Sequence, residues 1–474
     1  ETITDTIKML CGYSIGQSIF VIRSKIEGVC RWLEDAIHDY SIARGFPTAS
    51  FINAGDGRHE HPSQELLDEF SFLEHKGWDR ESIHLALLGD LFHGRTVHSK
   101  VDGLRLYTKV EVDLIAPTEL ALPKMYEERM LAAGFHVRKF GSIEEYLAQD
   151  KVAKIWYFTR LQLERMGEKV LDKSVELRKA VTFQREFVEK LPQGTKFFHP
   201  LPRDARYPTL PFWLDNTELN GWDQQSQNGY FTRIILLGML GGLPGSDMES
   251  LEDVSPDPGS PQTQQARPDS SPICAATDFI KEIVRGDKAE DSSSIEAGLV
   301  PLKNGIIIED LAEGQSVEKI WGLMYMVRSI LGLNDIGGQG VYRPVNKPDQ
   351  ARGYISVPDL DINSWDRGML KKLTAMAPGS TLKVIEEGHI SKEYRLHVPP
   401  QIYNFPDISC KNKACVSNPS NGQREVPSYF FRAEKQGCKI ESETWAFSCK
   451  YCEHMHDFWQ IWDYKYYEVS DFTI

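Results

Sequence analysis

The sequence predicts an α/β protein with a doubly wound parallel sheet in its first half. A β-α-β-β-α-β domain and a small cysteine-bearing β domain follow. Three observations carry the prediction. Short apolar runs of strand length recur in the first half, several of them closed by a loop that carries a cation, as at Arg23, Arg95 and Arg160. From Gly241 to about Ser294 the composition turns to Pro, Ser, Gly, Asp and Gln, which cannot bury enough apolar surface to offset its ordering entropy, so this stretch reads as a flexible tether. Near the C-terminus, Cys410-x4-Cys415 and Cys449-x2-Cys452 stand as two pairs at metal-ligand spacing.

The totals bound the function. A chain of 474 residues has room for two to four domains. With 41% hydrophobic and 26% charged residues the composition is that of a soluble globular protein. The net charge of −14 argues against a nucleic-acid or anionic-membrane partner, so an anionic substrate has to be met by local arginines. The longest apolar run, Ile234 to Leu243, is too short to span a bilayer, and no signal peptide is visible. Cysteines at metal spacing point to a reducing compartment, hence a cytoplasmic location. The first residue is Glu1 rather than Met, so the chain reads as a fragment or a processed product.

Taken in order, Ile3, Ile7, Leu10 and Cys11 are spaced as on one helix, and Ile19-Phe20-Val21-Ile22 is a short strand with Arg23 at its end. Open parallel sheets bind ligands beyond such strand ends. Phe51 to Gly55 is a second strand and turn. His61-Pro62-Ser63-Gln64 opens an amphipathic helix carrying Leu66, Leu67 and Phe70, with Pro62 at its first position and His61 at its N-cap. The positive end of the helix dipole disfavours imidazolium there and suits a neutral histidine that donates to a carbonyl oxygen. A histidine that merely caps the helix reads the same way. His84 to Leu88 is the next strand, and Arg95 lies in the loop and helix beyond it.

Ile155 to Phe158 is a buried strand running into Thr159-Arg160-Leu161-Gln162-Leu163-Glu164-Arg165. In an extended segment Arg160 and Gln162 point the same way. A planar cationic fork beside an amide suits a carboxylate, and Glu164 is placed to pair with Arg160. A surface charge cluster fits these residues as well. After the strand Lys196 to Phe198, the two prolines of His199-Pro200-Leu201-Pro202-Arg203 stiffen a loop and leave carbonyls as acceptors for an NH2 group. Gln225 to Leu240 reads as a helix with Tyr230, Phe231, Ile234, Ile235 and Leu237 on its apolar side.

Four of these motifs, His61-Pro62-Ser63-Gln64, Gly94-Arg95-Thr96-Val97-His98-Ser99, Thr159-Arg160-Leu161-Gln162 and His199-Pro200-Leu201-Pro202-Arg203, resemble those of aspartate carbamoyltransferase catalytic chains, in the same order and spacing. The resemblance runs from Glu1 to about Leu240. Pro200 and the Arg160/Gln162 pair favour aspartate over ornithine, since the ornithine enzymes typically carry a cysteine after that histidine. The likeness implies that the α-amine of L-aspartate attacks carbamoyl phosphate and phosphate leaves, in de novo pyrimidine biosynthesis, with no catalytic metal. It implies that Arg23 contacts the phosphate and the carbonyl oxygen, and that His61 polarises that oxygen. Gln64 and the carbonyls of Leu201 and Pro202 would hold the carbamoyl NH2. Arg95, Arg160 and Gln162 would hold the carboxylates of aspartate. Catalytic trimers are also implied. The family's Ser-Thr-Arg-Thr phosphate loop, and a lysine contributed by a neighbouring subunit, match nothing in this sequence and would fall upstream of Glu1.

In the second half, Gly305 to Ile308 is a strand and Ser316 caps a helix bearing Val317, Ile320, Met324, Val327 and Leu331, ended by Gly332. Strands near Val341 and over 354–357 follow. Ser364 is the expected cap of a second helix bearing Leu370, Leu373 and Met376, and Thr381 to Ile385 closes the set. Phe279 to Val284 is read as a helical turn or two. Two thiolate pairs on two knuckles make a closed tetrahedral zinc site of Cys410, Cys415, Cys449 and Cys452, structural because no position stays open. Cys438, His454 and His456 are weaker candidates, and Cys11, Cys30 and Cys274 read as unpaired. Asn304-Gly305 and Phe447 to Glu453 resemble the regulatory chain of aspartate carbamoyltransferase, an allosteric nucleotide domain followed by a zinc domain. Glu309-Asp310, roughly Ser356, and Glu393 stand where that family meets a nucleoside triphosphate, and acidic groups there repel it, so nucleotide control is expected to be weakened or lost.

The expected division is therefore 1–62, the remainder of a carbamoyl phosphate-binding domain to which helix 222–241 returns; 63–221, an aspartate-binding domain; 242–296, a linker; 297–402, a nucleotide-type regulatory domain; and 403–474, a zinc domain. The competing reading is a non-catalytic assembly or effector-binding protein of the same fold.

Overall fold

The computed structural model describes residues 2–13, 16–162, 173–242, 279–283, 302–333, 337–344, 349–434, 445–457 and 460–463. The readings that rest on Glu164, Arg165, Cys274 and Cys438, and on nearly all of the 242–296 linker, lie outside the described residues. The chain divides into two compact units, Glu1–Asp253 and Val254–Ile474.

The first unit opens with a helix, Ile3–Cys11, whose N-cap Thr2 accepts from the Asp5 amide. Strands β1 (Ile19–Ser24) and β2 (Ser50–Asp56) pair in parallel, joined through the helix Val29–Arg44. Strands β3 (Ser82–Leu88), β4 (Lys109–Ile115), β5 (His136–Phe140), β6 (Ile155–Phe158) and β7 (Lys196–Phe198) form a fully parallel sheet in the order β5-β4-β3-β6-β7. The chain grows outward from β3 to β5 and then returns to the other side of β3. That reversal opens a crevice at the C-terminal ends of β3 and β6, the place where such sheets take ligands. At the centre of the sheet, residues 85–88 of β3 and Ile155–Phe158 of β6 are apolar on both faces, as a covered parallel sheet requires. Leu85 and Leu87 face one core with Phe72, Val97 and Tyr157. Ala86 and Leu88 face the other with Trp156, Phe158 and Phe197.

The helix Pro62–His75 packs on β2 and against the helix Trp222–Leu240. This second contact overturns one expectation. Tyr230, Phe231, Ile234, Ile235 and Leu237 are exposed, whereas Trp222, Gln225, Asn228, Gly229 and Thr232 are buried. Hydrogen bonds make much of the contact: Asn228 Nδ2 donates to Ser71 Oγ (3.1 Å) and Glu74 Oε2 (2.7 Å), and Gln225 Nε2 donates to Asp68 Oδ1 (2.6 Å). Leu66, expected on the apolar side of Pro62–His75, is likewise exposed, while Leu67 is buried.

In the second unit, β8 (Ile280–Glu282), β9 (Gly305–Leu311), β10 (Gly338–Tyr342), β11 (Arg352–Pro358), β12 (Thr381–Glu386) and β13 (His389–Leu396) form an antiparallel sheet, order β10-β11-β9-β12-β13-β8. The expected β-α-β-β-α-β order holds for β9 to β12, with the helices Val317–Ile330 and Arg367–Met376 between them. Two strands are additional. β13 follows a two-residue turn in which Glu387 and Gly388 both take positive φ, the type that suits the twist of a hairpin. β8 then pairs with the edge that β13 offers, so 280–282 is strand rather than helix, anchored by buried Phe279. Ser316 caps the first helix as expected. The second is capped by Asp366, which accepts from Met369 N at 2.7 Å, while Ser364 ends a preceding 3-10 turn. The small domain has β14 (Gln401–Tyr403), β15 (Tyr429–Glu434), β16 (Trp445–Cys449) and β17 (Met455–His456) in sequential antiparallel order. Among the described residues no helix is long and apolar enough to cross a membrane.

Candidate active site

Arg23, His61, Gln64, Arg95, Arg160, Gln162, Leu201 and Pro202 all line one cavity of about 460 Å³, so every catalytic and substrate-binding residue expected from the sequence is brought together. Each arrives from the C-terminal end of a strand or the start of the helix beyond it. Arg23 is near the end of β1. Arg95 begins a short helix after β3, and its guanidinium lies over Gly55. A Cβ on Gly55 would stand 2.6 Å from Arg95 Cζ, and φ there is +112°, so glycine both allows the turn and leaves the space.

His61 stands at the N-cap position of the helix Pro62–His75, as expected, though its side chain makes no capping hydrogen bond, and its amide donates to Ser99 Oγ at 3.0 Å. Its pKa falls to about 3. Burial is the largest cause, followed by Arg95, Arg23 and Arg233, so desolvation and three guanidinium groups keep the ring neutral. Gln64 Nε2 donates to Asp68 Oδ1 at 2.8 Å.

Thr159 ties the β6 loop to β3 through its amide and hydroxyl, both donated to Leu88 O at 2.8 and 3.1 Å. Arg160 and Gln162 follow. Gln162 N donates to Asp90 Oδ2 (3.1 Å) and its side chain to His93 O (3.2 Å), so this amide is held by the β3 loop. In the last loop Leu201 has φ +50°, the Leu201–Pro202 peptide is cis, and Leu201 N donates to His199 Nδ1 at 2.8 Å. Burial, then Arg203 and Arg160, lowers the His199 pKa to about 3. Arg203 is anchored, with Nη1 2.7 Å from Asp215 and its guanidinium over Phe212. Sequence reading passed over His93, whose Nδ1 meets Asp90 at 3.1 Å at the cavity wall. The His93–Asp90 spacing of three after a strand was the available signal.

In the small domain all four predicted cysteine sulfurs converge within 4.8 Å of one another. Cys410–Cys452 and Cys415–Cys449 Sγ separations are 3.7 and 3.8 Å. Sulfurs bound at 2.3 Å to a tetrahedral ion lie about 3.8 Å apart, so the donor set fits such an ion without rearrangement. Despite burial, contacts from the other three thiols hold Cys449 well below the usual thiol range. His456 Nε2 lies 3.4 Å from Cys410 Sγ, beside the ligands rather than among them.

Comparison with known proteins decides the family. Residues 1–74 match the aspartate/ornithine carbamoyltransferase carbamoyl-P binding domain, and residues 400–462 match the metal binding domain of the aspartate carbamoyltransferase regulatory chain. The chain is 45% identical over 463 residues to the protein PyrBI of Thermotoga maritima, covering 98% of this chain and 82% of that protein. The chain belongs to the PyrBI family. A second PyrBI protein, from Treponema denticola, is 45% identical over 470 residues, with 98% and 82% covered. The aspartate carbamoyltransferase catalytic subunit of Methanobrevibacter smithii is 35% identical over 240 residues, covering 51% of this chain and 68% of that subunit. As a PyrBI member the chain is an aspartate carbamoyltransferase of pyrimidine biosynthesis, with a metal-binding regulatory module fused behind its catalytic half.

Proposed function

We propose that the cavity binds carbamoyl phosphate and L-aspartate together, with the eight residues in separate roles. Arg23 holds the phosphate and the carbonyl oxygen. His61 donates to that oxygen as a neutral ring: Ser63 Oγ lies 3.4 Å from Nδ1 and, donating to it, leaves the ring proton on Nε2. Gln64 and the carbonyls of Leu201 and Pro202 take the carbamoyl NH2. Arg95, Arg160 and Gln162 take the two carboxylates of aspartate. The amine nitrogen then forms its bond to the carbamoyl carbon, the carbon–oxygen bond to phosphate breaks, and the departing phosphate takes the proton that the amine gives up. Donors fixed before the reaction stabilise the oxygen as charge develops on it, and holding both substrates in line removes an entropic barrier.

What carries this reading is the convergence of eight residues, drawn from positions 23 to 202, on one cavity of about 460 Å³. The metal of the small domain is zinc, held by Cys410, Cys415, Cys449 and Cys452; it is structural, because four thiolates leave it no open position. The domains divide at 62, 221, 241, 296 and 402. The assembly is built on trimers, the location is cytoplasmic, and any nucleotide effect is weak. Lys383 pairs with Glu309 (2.6 Å) and Arg352 with Asp310 and Glu313 (2.6 Å each), so these cations of the regulatory sheet already face carboxylates. The test is to offer the native protein aspartate or ornithine with carbamoyl phosphate. The expected result is N-carbamoyl-aspartate and no carbamoylated ornithine. The reverse preference would overturn the assignment of Arg160 and Gln162 to aspartate.

A further inference from the structure

Asp68 does not line the cavity, yet it stands behind two of the groups that do. It is fully buried on the helix Pro62–His75, one turn after Gln64. Its Oδ1 accepts from Gln64 Nε2 (2.8 Å) and from Gln225 Nε2 (2.6 Å), and its Oδ2 accepts from Lys100 Nζ (2.8 Å). We propose that Asp68 is a positioning residue for the carbamoyl transfer: its carboxylate fixes which end of the Gln64 amide faces the substrate and, through Gln225 and His199, sets the loop that presents the Leu201 and Pro202 carbonyls. The inference rests on the roles given to Gln64 and that loop above.

The two ends of a glutamine amide are nearly the same size and opposite in hydrogen-bond sense. A carboxylate only accepts, so Asp68 draws in the Nε2 end of Gln64 and turns its Oε1 toward the cavity. That end accepts from an NH2 group. Reversed, the amide would set donor against donor at the carbamoyl group. Gln225 is oriented in the same way. Its Nε2 is spent on Asp68, and its Oε1 accepts from the His199 amide (2.9 Å), while His199 Nδ1 accepts from the Leu201 amide (2.8 Å). The polarity runs unbroken from Lys100 to the loop.

The surroundings keep Asp68 in that role. Lys100 is completely buried, with its ammonium 4.6 Å from the Tyr157 ring centre and 5.3 Å from that of Phe72. Burial opposes the charge, but Asp68, Glu65 and Glu69 more than offset it and hold Lys100 above its usual value. Glu65 Oε2 also accepts from Lys100 Nζ, so the lysine is shared between two carboxyl groups, and Asp68 keeps its Oδ1 for the two amides. Gly103 completes the fit, since a Cβ there would stand 2.0 Å from Glu65 Oε1.

The test is steady-state kinetics on Asp68→Asn and Gln225→Met in the native protein, with Arg160→Ala beside them. An asparagine can offer either end to Gln64, so KM for carbamoyl phosphate is expected to rise roughly tenfold to a hundredfold, the cost of a reversed or lost buried hydrogen bond, with KM for aspartate nearly unchanged. Gln225→Met removes the link to the loop without stranding a charge, and a smaller rise of the same kind is expected. It carries the test alone if Asp68→Asn does not fold. A merely structural role would lower the folded fraction and kcat together and leave both KM values alone, and that result in the folded variants would overturn the proposal. If Arg160→Ala is also without effect, it is the reading of the cavity that fails.

Discussion

The cavity of the first unit and the cysteine cluster of the second are both polar groups taken out of water, but they are built for opposite ends. The four cysteine sulfurs come from two knuckles and converge within 4.8 Å, so that together they would fill every position of one tetrahedral ion. The cavity draws on residues 23 to 205, ends at rigid strands, and keeps its volume for something that comes and goes. His61 and His199 are held neutral by burial and arginines, so the His61 ring can donate to an oxygen without adding a proton. A closed site can stabilise its domain through the ion, whereas an open one has to be stabilised by what stands behind it, here the Asp68–Lys100 pair and the two cores of the parallel sheet.

This comparison can be broken most easily at the closed site. Cys449→Ser, or a strong chelator, should abolish metal binding by the small domain, since structural zinc contributes on the order of 10 kcal/mol to such folds. Metal content per chain and the thermal transition of the second unit report it. An unchanged transition in metal-free protein would deny the ion its structural role. At the open site, Arg95→Ala should raise KM for aspartate by roughly a hundredfold, as expected for one lost charge-assisted contact to a carboxylate. The melting temperature should hardly move, because Arg95 faces a cavity.

A third effect concerns the neutral histidines. His61 and His199 titrate near 3 in the folded chain, against 6.5 when free. The unfolded state takes up their protons first as pH falls, so the stability they permit is complete above 6.5 and declines between 6.5 and 3. Urea midpoints at pH 7.5 and 4.5 should show the decline, and His199→Asn should flatten it. A midpoint that rises on acidification would contradict the assignment.

Much of this was legible in the sequence, for different reasons. The cysteine cluster follows from spacing alone, because its ligands are local. The cavity residues were legible as cations and amides beyond strand ends, and the order of the motifs tied them together. Asp68 and Lys100 were not. Periodicity assigns the charged side of a helix to water, and Glu65, Asp68 and Glu69 look like such a side until a buried lysine is placed opposite them. The same habit misassigned Trp222–Leu240, whose buried face is amide and hydroxyl and whose apolar face is exposed. β13 was missed because Glu387-Gly388 is a weaker hairpin signal than Asn-Gly. The cap at Asp366 was missed because Ser364, two residues earlier, is as good a capping residue on paper.

The measurement that bears most directly on the account is the rate of N-carbamoyl-aspartate formation by the native protein and by Arg160→Ala, with folding of both checked by urea denaturation. The account predicts product from the native protein and, from the folded variant, a kcat/KM for aspartate lower by about 10² or more. A folded Arg160→Ala protein that turns over aspartate as well as the native one would contradict the placement of aspartate in this cavity.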